Sequence, residues 1–101
     1  MLLKERHKDI LMQIFSQIPF SLEVWAYGSR VNGDAHEGSD LDLVIRTLNN
    51  EYFPNQFYHQ LKENITESNI PFLVDLFLWH QLPKSFQRNI EEKHEVLFSN
   101  F

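Results

Sequence analysis

Apolar residues along the chain fall into blocks of two different periods. From Leu3 to Ile18 they recur at three- and four-residue steps (Leu3, Ile10 or Leu11, Ile14, Ile18, with His7 in the same stripe). This spacing predicts a core-packing helix that Pro19 stops. Leu22–Tyr27 alternates instead. Trp25 and Tyr27 share one face, Val24 and Ala26 the other, and both faces are apolar enough for a central strand covered on each side. The stretch from Arg30 to Ser39 is polar, holds Gly33 and Gly38, and predicts a short helix followed by a loop. Asp40–Ile45 reads as a second strand, with Leu41, Leu43 and Ile45 on its buried face and Asp40, Asp42 and Val44 on the other. Thr47–Glu51 is turn-like.

Phe53–Ser68 predicts a second long helix, with Phe57, Leu61 and Ile65 four apart and Asn69 and Pro71 closing it. Phe72–Trp79 is an apolar third strand. Pro83 suits the first position of another helix reaching about Lys93, with Phe86 and Ile90 as its apolar residues. Glu95–Ser99 reads as a short edge strand. The order α-β-(α)-β-α-β-α-β predicts an α/β (α+β) fold: a mixed sheet of three or four strands flanked by helices, one small domain over residues 1–101.

Composition narrows the picture. Nine phenylalanines and ordinary apolar content mark a folded globular chain. With no cysteine, disulfides and zinc–thiolate sites are excluded. The charged start, Lys4 to Asp9, does not read as a signal peptide, and no apolar run approaches the roughly 20 residues of a membrane span. A cytoplasmic setting without membrane contact is the expectation. A net charge of −5 and the lack of a basic cluster argue against extended nucleic-acid binding, though not against a nucleotide held through a metal.

The candidate chemistry lies between Val24 and Ile45. Gly28-Ser29 ends the first strand. Glycine there allows a sharp turn and close approach to a ligand, and Ser29 at the start of a short helix would sit where free N–H groups favour phosphate. Asp40 and Asp42, two apart on one strand, point to one face about 6–7 Å apart. A divalent cation would relieve their repulsion, and oxygen ligands suit magnesium. Asp75 is the lone charge in the apolar run Phe72–Trp79. It must pair with an Arg or Lys, be protonated, or share the cation of Asp40 and Asp42. Arg30 could reach a phosphate or stand as an exposed helix-start arginine. Ser39 could contact nucleotide or support the loop. Asp34 and Glu37 read as solvated, and His7, His36, His59, His80 and His94 as surface or packing residues.

Together, Gly28-Ser29-Arg30, Gly33, Ser39-Asp40-Leu41-Asp42-Leu43 and the distant Asp75 resemble the signature of the DNA polymerase β-like nucleotidyltransferase superfamily. The chain's size resembles its minimal members, the antitoxin partners of HEPN toxins. That resemblance implies transfer of AMP from ATP with magnesium, two ions, held by Asp40, Asp42 and Asp75. It implies phosphate contacts at Gly28 and Ser29, with Arg30 and Ser39 as further nucleotide-binding candidates. Asp75 would also help deprotonate the acceptor. The implied acceptor is a hydroxyl, a tyrosine's, on a HEPN-domain protein encoded next to it, in a type VII-like toxin–antitoxin pair. Larger members carry extra acceptor-binding domains, and this chain is expected to leave the acceptor to its partner. Phe53, Phe57, Trp79 and Phe86 are candidates for a docking patch or for the core. Two other readings compete: a non-catalytic antitoxin that binds through a nucleotidyltransferase fold, and a small-molecule, aminoglycoside-like nucleotidyltransferase.

Overall fold

Four strands and four helices alternate along the chain in a computed structural model that describes residues 1–101. They are α1 (Glu5–Ser16), β1 (Leu22–Tyr27), α2 (Ser29–Asn32), β2 (Leu41–Thr47), α3 (Asn55–Thr66), β3 (Val74–Leu78), α4 (Lys84–Glu92) and β4 (Glu95–Ser99). Short 3-10 turns follow β2 and β3. The expected element order is present, with shifts at the ends. The second long helix begins after Pro54 rather than at Phe53. Trp79 leaves the third strand for the 3-10 turn Trp79–Gln81. Asp40 lies just ahead of β2.

The sheet runs β3-β2-β1-β4 and is mixed: β1 pairs antiparallel with β2 and β4, while β2 and β3 are parallel. A parallel pair needs a crossover, and α3 supplies it. Alternation splits each strand between two faces. Leu22, Val24, Ala26, Leu41, Leu43, Ile45, Leu76 and Leu78 face α1 and α3, where Leu11, Phe15 and Leu61 are fully buried. The main core fills that side. β4 follows the rule with one exception. A register shift opposite Val24/Trp25 lets the consecutive residues Leu97 and Phe98 both join the core, as a bulge permits. His7 is buried with its ring edge-on to Phe72 at 5.4 Å, so it is a packing residue.

The other face is covered only in part. A smaller cluster of Trp25, Tyr27, Val44, Trp79 and Ile90 forms where α4 crosses it. Arg46 lies 4.6 Å from the Trp25 ring and 4.3 Å from Trp79, and His94 stacks on Trp25 at 3.8 Å. Of the aromatics proposed for docking, Phe53 and Trp79 are buried, Phe57 is half-buried, and Phe86 is exposed. No helix is long and apolar enough to cross a membrane.

Candidate active site

Strand register builds the site. Tyr27 of β1 stands opposite Asp42 of β2, and Asp42 stands opposite Asp75 of β3. All three therefore occupy one level of the sheet, on the face away from the main core. The structure places Asp75 beside Asp42, its partner across the β2–β3 pair, and close enough to raise the Asp42 carboxyl. Asp75 forms no salt bridge with an Arg or Lys. Asp40, two residues before Asp42, is exposed at the rim.

The pairing has an electrostatic signature. Burial raises the Asp42 carboxyl above the usual carboxylate range, and the charges of Asp75 and Asp40 raise it further. Desolvation, then Asp42 and Asp75, push the Tyr27 phenol up to about 12. A carboxylate at the same level disfavours the ionised form of a partly buried one such as Asp42. Tyr27 stays a neutral donor across the physiological range. Its ring is buried, yet no side-chain polar atom in the molecule is both buried and unpartnered. The hydroxyl makes no hydrogen bond within the chain, so it opens into solvent beside the acids.

Gly28 makes the close approach possible. Its φ of 81° and ψ of −155° belong to a region almost restricted to glycine. A Cβ added there would fall on Oδ2 of Asp42. The backbone then turns directly into α2, where Asn32 N–H donates to Gly28 O at 2.9 Å as the first full helical bond. By helix geometry the amides of Ser29 and Arg30 find no partner inside that turn. Gly33, at φ 89°, ends it in the left-handed conformation.

Arg30 is neither exposed nor aimed at an open site. It is buried, and four of its five N–H groups are engaged: Nε to Ser39 O at 2.9 Å, Nη1 to Leu2 O at 2.7 Å, and Nη2 to Glu37 O and Ser39 O, both at 2.7 Å. Phe72 packs under the guanidinium at 4.0 Å. Ser39 belongs to the same tie, since its hydroxyl also accepts from His36 N–H at 3.1 Å. Together they hold the loop that delivers Asp40 and Asp42.

A cleft of about 500 Å³ opens over Tyr27, Gly28 and Asp42, and is walled by Asn32 and by Phe86, Asn89, Ile90, Glu92 and Lys93 along α4 and its end. Its size suits a nucleotide-sized ligand. Sequence patterning did not identify Tyr27, Asn32 or the α4 wall as site residues. Tyr27's place directly before Gly28-Ser29 was the one available signal. The α4 wall residues lie more than forty positions downstream of Asp42, without a motif.

The donor set fits a hard divalent cation. All candidates are carboxylate oxygens, and the missing side chain of Gly28 is what lets Asp42 Oδ2 sit against the backbone there. No three acidic or histidine side chains converge into a ready-made metal cluster. Magnesium does not require one, because it is commonly held by one or two carboxylates with substrate phosphates and water completing its shell. Asp42 and Asp75 meet that need, with Asp40 at the rim.

The family model described as "Polymerase beta, Nucleotidyltransferase" matches residues 9–100. A "probable protein adenylyltransferase MntA" of Haemophilus influenzae is 35% identical over 95 residues, spanning 94% of this chain and 82% of that protein. Among solved structures, a toxin–antitoxin crystallised with AMP-PNP superimposes with a TM-score of 0.71 over 92% of this chain and 73% of that one, at 17% identity. At that identity the likeness is one of fold.

Proposed function

The chain belongs to the polymerase beta nucleotidyltransferase family, and on that premise we propose that it transfers AMP from ATP to a hydroxyl of a partner toxin of the HEPN type, acting as its antitoxin. The observation that carries this reading is the register Asp42 opposite Asp75 beside Gly28. Two acids are held at one level, and Asp42, next to a backbone stripped of a side chain, lines a nucleotide-sized cleft. The adenylyltransferase name of the Haemophilus influenzae relative supports adenine as the base and a protein as the acceptor. The toxin–antitoxin neighbour supports the partner class.

In this reading the Gly28 and Ser29 segment binds the β- and γ-phosphates through its free amides and the Ser29 hydroxyl. Asp40 and Asp42 would hold magnesium, and Asp75 would help hold a second ion. The bound ions supply charge neutralisation for the attacking and leaving oxygens. Asp75 accepts the proton of the acceptor hydroxyl, a tyrosine's. That oxygen forms a bond to the α-phosphorus, the bond from the α-phosphorus to the bridging oxygen breaks, and pyrophosphate leaves. Tyr27 donates a hydrogen bond beside the carboxylates. Positioning does most of the work, as transfer of this kind needs little covalent chemistry from the protein.

Intact-mass spectrometry of the neighbouring HEPN protein, co-expressed with the chain, tests this. A mass gain of whole AMP units that vanishes with Asp42→Asn is the expected result. An unmodified partner in a stable complex with the wild-type chain would instead make the protein a binding antitoxin.

A further inference from the structure

The α4 wall of the cleft carries chemistry that the carboxylate site does not use. Phe86, Asn89 and Ile90 stand on one side of α4, three and four residues apart from Phe86, Lys93 follows on extended backbone just past the helix end, and all four line the cleft. Ile90 is buried and anchors the helix to the sheet through the small aromatic cluster. The other three are not consumed by packing. Phe86 is 51% exposed. Lys93 is exposed, and neither residue forms a salt bridge or side-chain hydrogen bond within the chain. Read along α4 and past its end, the wall presents an aromatic ring, an amide and an ammonium. A nucleotide presents a base, a sugar and phosphates in that order. Phe86 to Glu92 covers about 9 Å at the helical rise, and the extended Lys93 carries the wall further, a span comparable with an extended nucleoside monophosphate. Lys93 is also the one cation among the lining residues, and its neighbour there, Glu92, is an anion.

We propose that these residues form the nucleotide-selecting wall of the site, with the base stacked on Phe86, the ribose beside Asn89 and the phosphate chain met by Lys93. The proposal rests on the nucleotidyl-transfer reading and assigns the residues that choose and grip the triphosphate. Base stacking on an aromatic face discriminates by stacking strength, and an ammonium meets phosphate as a point charge.

Calorimetric titration of the full chain with ATP, AMP, GTP and CTP in magnesium buffer tests it, using wild type, Phe86→Ala and Lys93→Met. Both positions are exposed, and circular dichroism checks that the variants fold. Phe86→Ala is expected to weaken ATP and AMP alike, by at least about fivefold, and to flatten the preference among bases. Lys93→Met is expected to weaken ATP by about tenfold and AMP by less. Should both variants keep wild-type affinities and base preference while Asp42→Asn loses ATP, the wall proposal fails and the transferase reading stands. Should the wild type bind no nucleotide at all, both fall.

Discussion

At Gly28 and Asp42 the requirements of chemistry and of stability part company. Gly28→Ala places a methyl group where Asp42 Oδ2 lies, in a backbone conformation that alanine resists. We expect it to destabilise the fold by about 1–3 kcal/mol and to abolish transfer, seen as a lower melting temperature together with lost AMP incorporation. Asp42→Asn should do the opposite to stability. The folded state raises the Asp42 carboxyl above its ordinary value of 3.8, by burial first and then by Asp75 and Asp40. A raised carboxyl binds its proton more readily when folded, so its favourable contribution is present at low pH and is lost as pH rises through the folded value. The metal-free variant should therefore match wild type near pH 3.8 or below and become the more stable protein as pH rises toward neutrality. Denaturant titrations across pH read this gap. Magnesium with ATP should close it by stabilising wild type alone.

At the scale of elements, α2 and the loop after it are held by Arg30. Its contacts are to backbone carbonyls of Leu2, Glu37 and Ser39 and to the Phe72 ring. Lysine keeps the charge and loses the fork that reaches several carbonyls at once. Arg30→Lys should destabilise by about 2–3 kcal/mol through the hydrogen bonds lost by a buried charged side chain. A residue whose role was phosphate contact would instead lose nucleotide affinity at unchanged stability, so unfolding and ATP titration together decide between the two. The same residue shows where sequence reading stops. The two long helices and four strands were legible because each carries its own period. The Gly28-Ser29 and Asp40/Asp42 spacing was legible because those residues sit within one local motif. Arg30's partners are scattered from Leu2 to Ser39, and Phe72 lies further still, so no local pattern announces them. The Asp42–Asp75 register and the α4 wall depend on how β3 and α4 dock, which is fixed by tertiary packing rather than by spacing.

At the scale of the whole molecule, one sheet serves two tasks on its two faces. α1 and α3 bury the leucine-rich face and supply most of the hydrophobic stabilisation. The opposite face keeps Asp42, Asp75 and Tyr27 under a partial cover of α4. Leu61 and Asp42 lie on opposite sides of that sheet and share no cluster. Leu61→Ala leaves a cavity in the main core and should lose about 2–5 kcal/mol, while activity per folded molecule stays near wild type below the melting transition. Substitutions without shared partners combine additively to within about 0.5 kcal/mol. The double variant Leu61→Ala/Asp42→Asn should therefore unfold at the sum of the two single effects and be inactive even where it is fully folded. A double-mutant cycle measured by urea unfolding checks this. A coupling well above about 0.5 kcal/mol would mean that the core face sets the geometry of the acids through the strands, and that the two faces cannot be altered independently.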